Sequence, residues 1–306
     1  MTAAVNNAPG LASHLINGVL AIKPLANLAK HRARQMMIKR AEKMGVSWTQ
    51  EVEQLQARDW TNELAKVENP QLSYPDYYLT SFHAYETGNM SWQAAFEVEP
   101  AAYAVHAKIW QGAEAQGDVR LRQNYHDILK NQIPNPPQDI LDIGCSVGMS
   151  TFALQELYPQ AKITGLDLSP YFLAVAEYRS QQRRANINWV HAPAETTGLP
   201  DASFDLVSIF LVCHELPQSP TKQIFAEARR LLRPGGHIGI MDMNPKSEAF
   251  VKMPPYILTL LKSTEPYLDE YFNLDIEQAL VEVGFQTPTI TSNSPRHRTV
   301  IAQVRG

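Results

Sequence analysis

From residue 138 onward, short apolar runs alternate with longer segments in which apolar residues recur every three or four positions. The runs at 138–143, 161–166, 187–191, 204–212 and 236–243 have the length and β-branched content of buried strands, and 148–157, 170–184 and 219–232 have helical spacing. Beyond them, 251–271 is helical and aromatic, 274–283 is a helix, and 285–292 with 297–304 suit an antiparallel pair. Strand–helix alternation of this kind requires right-handed crossovers and a parallel sheet. The predicted fold is therefore α/β, a doubly wound, mostly parallel seven-stranded sheet with an N-terminal helical extension.

Residues 11–132 differ in texture. Helical spacing is found over 11–29 and 31–44. Ser47 and Gln50 make a capping-box pattern ahead of a helix to about Lys66. Ser91 suits the cap of a helix to about Trp110, and another helix fits 114–130. Pro134, Pro136 and Pro137 then stop helical structure. Between the helices lies an irregular stretch rich in aromatics, from Tyr74 to Tyr85. This divides the chain into a helical extension, 1–112, and an α/β domain, 113–306.

Composition adds limits. With 44% hydrophobic and 19% charged residues the chain suits an ordinary globular core, and a net charge of −4 does not favour nucleic acid as a partner. Two cysteines, Cys145 and Cys213, provide no disulfide framework and no zinc-type spacing, so a cytoplasmic setting and no metal are expected. The first 44 residues hold seven basic side chains against one acid, Glu42. A cationic helical segment of this kind either lies on an anionic membrane surface, as a peripheral contact, or is a solvated helix face.

The candidate chemistry centres on Ile140-Leu-Asp-Ile-Gly-Cys-Ser-Val-Gly148, a buried strand that ends in a glycine turn before a helix. Glycines let backbone approach a ligand, and a helix N-terminus offers unpaired N–H groups. Three readings compete. A nicotinamide-type turn requires GxGxxG, which these glycines do not match. A nucleophile elbow, G-x-S-x-G, is spelled at 144–148, with Asp242 and His297 following in triad order, but the elbow then precedes the other strands. The third reading rests on four segments in order: LDIGCSVG at 141–148, GLDLSPYFLAVA at 165–176, AETTGLPDASFDLVSIFLVCHELP at 194–217 and EARRLLRPGGHIGIMDMN at 227–244.

That ordered set resembles the class I S-adenosylmethionine-dependent methyltransferases, in their UbiE-like (methyltransferase type 11) branch, over roughly 120–306. The resemblance implies a Rossmann-like methyltransferase fold with S-adenosylmethionine as cofactor. It implies that Asp142, Gly144, Cys145, Ser146 and Gly148 line the methionyl end, that Asp167 with Leu168 grips the ribose hydroxyls, and that Ala194, Glu195 and Leu211 frame the adenine. Pro193 stands where the family usually has an acid for the adenine amino group.

Methyl transfer from a sulfonium is an in-line displacement in which protein aligns the acceptor and excludes water. An oxygen or carbon acceptor must also lose a proton, and His214, just after the fourth strand, is the candidate base, or else a pocket or tethering residue. Tyr77, Tyr78, Phe82, His83, Tyr85 and Trp92 suit a wall for a small apolar or aromatic, lipid-like acceptor, with Tyr267 opposite; ordinary packing is the competing account. Other function classes stay open: a silent cofactor-binding module, or a protein or peptide methyltransferase.

Overall fold

The structure, a computed structural model, describes residues 23–83 and 85–305. Of the first helical prediction, 11–29, most lies outside the described residues. From Lys23 the chain runs without interruption through α1 (Lys23–Lys43). The helix predicted over 47–66 is instead two, α2 (Trp48–Gln56) and α3 (Thr61–Val67). The break has a local cause: Asp59 Oδ1 accepts from the Thr61 N–H (3.0 Å) and hydroxyl (2.6 Å), and the Trp60 indole donates to the Leu55 carbonyl (2.9 Å). These side-chain bonds offer the backbone an alternative to helix. The capping box does not form either, for Ser47 makes no side-chain cap and Glu42 accepts from the Thr49 N–H instead (2.9 Å).

Ser91 does cap α4 (Trp92–His106), accepting from the Ala94 N–H at 3.1 Å. Then follow α5 (Gln116–Gln132), β1 (Asp139–Ile143), α6 (Met149–Leu157), β2 (Lys162–Asp167), α7 (Pro170–Arg183), β3 (Ile187–His191), β4 (Phe204–Phe210), α8 (Gln218–Leu231) and β5 (Leu232–Met243). The pair Pro254-Pro255 and the single Pro266 cut the predicted 251–271 helix into α9 (Glu248–Val251), α10 (Pro255–Thr264) and α11 (Leu268–Phe272). The chain closes with α12 (Ile276–Glu282), β6 (Thr289–Ser292) and β7 (His297–Gln303).

The seven strands form one sheet in the order β3-β2-β1-β4-β5-β7-β6. β1 to β5 pair in parallel, and β7 runs antiparallel between β5 and β6. The doubly wound seven-stranded fold expected from the sequence is the observed one. Period-two alternation puts Leu141, Ile143, Val207 and Ile209 on one face against α8 and α12, and Ile140 and Leu206 on the other against α5 and α6. A third apolar cluster joins α2, α3 and α4 to α7 through Trp48, Val52, Trp60, Phe96, Phe172 and Val175, so the N-terminal helices are a layer on the sheet domain.

Tyr125 ties α5 to the sheet. It is fully buried, and its hydroxyl donates to the Gly239 carbonyl (3.0 Å) and meets Ser208 Oγ (3.0 Å). Tyr125→Phe is expected to destabilise the fold by about 1–3 kcal/mol, because it strands buried polar groups; urea unfolding should show a lower midpoint with unchanged slope.

Candidate active site

Strand order reverses direction at β1: β2 and β3 lie on one side of it, β4 and β5 on the other. In a parallel sheet the crevice at such a point, outside the carboxyl ends of the strands, is where ligands bind. The glycine turn sits there. Gly144 (φ 68°) and Gly148 (φ 88°) take left-handed conformations, and the N–H groups of Gly144 and Cys145 both bond the Leu166 carbonyl at the end of β2 (2.8 and 3.0 Å). A Cβ on Gly144 would lie 2.5 Å from a Val212 methyl, so only glycine lets β1 and the β4 exit come this close.

Two carboxylates flank the turn. Asp142 is wholly buried; its Oδ2 accepts from the hydroxyls of Ser150 and Thr151, both at 2.7 Å, and its Oδ1 has no partner. Asp167, at the end of β2, accepts from the Ser146 N–H (2.8 Å), the Ser169 N–H (2.8 Å) and, weakly, the Tyr78 hydroxyl (3.4 Å). Burial raises both acids to about 6, against the pull of their hydrogen bonds. Ser169 also caps α7, its side chain accepting from the Phe172 N–H.

The remaining predicted cofactor residues lie in the turns that follow β1, β2, β3 and β4. Cys145 is buried behind the turn, Ser146 is half-buried with its hydroxyl unpartnered, and the Leu168 carbonyl accepts from His191 Nε2 (3.0 Å). Ala194 packs against the core, Glu195 accepts from the Tyr77 hydroxyl, and Leu211 takes φ 59° as β4 ends at Phe210, two residues earlier than predicted. The donor set suits an adenosyl amino acid: an orphaned buried carboxylate oxygen for an ammonium, and a strand-end carboxylate for paired hydroxyls.

The elbow reading fails on geometry. Asp242 pairs with His214, and His297 Nδ1 pairs with Ser294 Oγ (2.7 Å), so neither forms a relay to Ser146.

His214 Nδ1 lies 2.7 Å from Asp242 Oδ1, and its N–H donates to the same carboxylate (3.2 Å). Burial alone would lower this imidazole, but Asp242 outweighs it and raises the group to about 10. The Asp242 carboxylate against its ring favours the protonated, hydrogen-bond-donating form of His214. Its neighbour Glu215 lines a small cleft with Tyr77, Tyr78, Thr80, Phe82, Asn89 and Leu216. Burial raises Glu215 to about 7, partly offset by His83 and His214. His83 Nε2 is 3.1 Å from Glu265 and 3.8 Å from Glu215, and Asn89 Nδ2 donates to Glu215 at 3.4 Å. Glu215 and Glu265 were not singled out from the sequence, and no local pattern marks them: segments some 125 and 50 residues away from Glu215 complete the group.

Of the predicted wall, Tyr77, Tyr78 and Phe82 line the cleft, and His83 joins its ion cluster. Tyr267 packs edge-on to Tyr77 and donates to the Tyr77 carbonyl (3.3 Å). Two residues lie elsewhere. Tyr85 donates to Glu97 (2.9 Å), which also holds Arg34, and Trp92 packs among Trp60, Phe96 and Tyr171. Both pack against the apolar cluster of the helical layer.

A family model described as a methyltransferase domain matches residues 140–236, the span from the glycine turn through β5's entry. The chain is 29% identical over 187 residues to an uncharacterized methyltransferase of Synechocystis, covering 61% of this chain and 82% of that one. This chain carries a methyltransferase domain and is similar to the class I S-adenosylmethionine-dependent methyltransferases.

Further relatives of the methyltransferase are the malonyl-[acyl-carrier protein] O-methyltransferase of Paenibacillus, 31% identical over 48% of this chain and 55% of that one, and the demethylmenaquinone methyltransferase of Thermus thermophilus, 27% identical over 42% and 56%. Of these two the chain spans about half the length. An O-methyltransferase family protein of Burkholderia thailandensis shares the fold at TM-score 0.52 and 15% identity, over 68% of this chain and 60% of that one. Among the described residues no helix is long and apolar enough to cross a membrane.

Asp167→Ala should weaken S-adenosylhomocysteine binding by about 1.5–3 kcal/mol, as for hydrogen bonds to a charged group; calorimetric titration measures it, and unchanged affinity removes the ribose assignment. Affinity should also hold above pH 7 and fall below about 6, where Asp142 and Asp167 take up protons in the ligand-free protein. The expected slope is about tenfold per pH unit for each carboxylate that must be ionised.

Proposed function

We propose that this methyltransferase acts on a small apolar or aromatic, lipid-like acceptor seated in the Tyr77–Tyr78–Phe82 cleft, with Glu215 taking the acceptor's proton. The observation behind this reading is the carboxyl group of Glu215, poised near 7 on an aromatic cleft that adjoins the cofactor crevice. A general base works best with a pKa near the working pH. Relatives named for demethylmenaquinone and for phthiotriol/phenolphthiotriol dimycocerosates support an acceptor of this class.

The cofactor supplies an electrophilic methyl group. The protein's part is orientation, exclusion of water and movement of one proton. Asp142, the glycine turn and Asp167 would hold the cofactor; Tyr77 and Tyr78, whose hydroxyls reach Glu195 and Asp167, close over it from the N-terminal extension, 1–112. His214, whose protonated form Asp242 favours, stabilises negative charge as the acceptor loses its proton, and Glu215 receives that proton. The basic α1 surface suits a peripheral contact with an anionic membrane that stores such an acceptor.

Incubation of the enzyme with a cell extract and isotope-labelled methyl donor should place label in the solvent-extractable lipid fraction, read by mass spectrometry; label confined to protein would overturn the acceptor class. Glu215→Gln should lower kcat by about 10²–10⁴-fold and abolish the rise in rate near pH 7, with cofactor affinity unchanged. A variant of wild-type kcat would remove Glu215 from the proton transfer.

A further inference from the structure

α10 (Pro255–Thr264) is apolar on two faces and covered on one. Leu258 is buried and Leu261 packs on the main core. From Pro254 to Leu261 the sequence has no charged residue. Tyr256, Ile257 and Leu260 stand 43%, 39% and 43% exposed, and Val251, at the end of α9, 49%. Leu260 follows Tyr256 by four positions and Ile257 by three, so the three side chains are neighbours on the helix surface. A helix that is apolar all round belongs inside something, and a group of adjoining apolar side chains left on a surface marks a contact.

The polar groups of this helix are satisfied without water. The Thr259 hydroxyl donates to the Pro255 carbonyl (2.9 Å), Ser263 to Leu260 (2.6 Å) and Thr264 to Leu261 (2.9 Å), so each hydroxyl of α10 folds back onto its own backbone. Two lysines bracket the apolar run. Lys252 pairs with Glu248, and Lys262 with Asp269 (2.6 Å). Ion pairs this exposed are weak, so either lysine can turn to a phosphate while its stem stays on apolar surface. A protein partner is recognised through hydrogen bonds as well as apolar contact. This face offers carbon, self-satisfied hydroxyls and a cation at each end, which is the chemistry of the boundary between headgroups and acyl chains.

The C-terminal end of α10 adjoins the acceptor cleft. The Thr264 carbonyl accepts from the His83 N–H (3.0 Å), Glu265 meets His83 Nε2 (3.1 Å), and Tyr267 packs on Tyr77. We infer that α10 lies in the surface of a lipid bilayer, with Tyr256, Ile257 and Leu260 among the acyl chains and Lys252 and Lys262 at the phosphates. The inference rests on the reading of a lipid-like acceptor and adds the face by which it arrives: with α10 seated there, the acceptor passes from hydrocarbon to the cleft without crossing water. The contact is apolar and needs no anionic lipid, unlike the contact suited to the basic α1 surface, which salt screens.

The test is co-sedimentation of the full chain with vesicles of pure phosphatidylcholine in about 1 M salt, which screens the α1 charges. Wild type should pellet with the vesicles, and the double variant Ile257→Ser/Leu260→Ser should bind about 10- to 100-fold more weakly. Both positions are exposed, so its melting temperature should match wild type. A second variant, Tyr256→Trp, should gain emission over wild type that shifts to shorter wavelength when vesicles are added. No pelleting of wild type, undiminished binding by the double variant, or no spectral shift would overturn the bilayer contact. So would light scattering that shows a wild-type dimer abolished in the double variant, which would assign the face to a second copy of the chain. Vesicle binding is read without turnover. Its failure leaves the acceptor class standing, whereas label confined to protein in the extract experiment overturns that class and leaves vesicle binding intact.

Discussion

Parallel pairing of β1 with β2 on one side and β4 on the other is the constraint from which the site follows. The strands are apolar on both faces, so helices must cover both, and the chain leaves β1 and β4 toward separate regions of the molecule. What remains uncovered is the space outside their carboxyl ends. Backbone N–H groups of the glycine turn and the acids Asp142 and Asp167 gather there. Gly144 then permits the approach of the two strand exits to within a methyl contact of each other.

Desolvation sets the electrostatics of that space. Asp142, Asp167 and Glu215 all lie in surroundings that disfavour their charged forms, and each receives only part of the hydrogen bonding that would repay the burial. Such groups are poised for a ligand that brings positive charge or donors. His214 shows the opposite balance, since Asp242 faces its ring and holds the proton on it. Two adjacent residues in one turn thus have opposite electrostatic balances, separated by which of them meets a carboxylate.

The aromatic segment from Tyr74 to Asn89 connects these centres. Tyr78 reaches Asp167, Tyr77 reaches Glu195, His83 reaches Glu265, and Asn89 reaches Glu215 and, through its carbonyl, Ser169. Its backbone is pinned as well, with His83 N–H on the Thr264 carbonyl at 3.0 Å. A segment held by side chains from β2, β3, the β4 exit and α10 can shift only if several of those partners change together. The helical layer beneath it, packed on α7 through the Trp48–Trp60–Phe96 cluster, positions its two ends.

Strand and helix periodicities in the second half were legible because each buried element must present apolar residues at its own period, and the glycine turn and Asp167 were legible because strand-end chemistry is local. The break at Asp59 was not, since an aspartate side chain there competed with a helix that propensity favoured. Tyr85 and Trp92 could not be told from Tyr77 and Tyr78 by spacing, because aromatics serve packing and binding alike. The partners of His214 and Glu215, which are Asp242 and His83, lie far from them in sequence. Local pattern determined the sheet, the cofactor turn and the family; tertiary folding alone decided which charges face one another. Coulomb and desolvation energies depend on distance and burial in space, and neither is written in the order of residues.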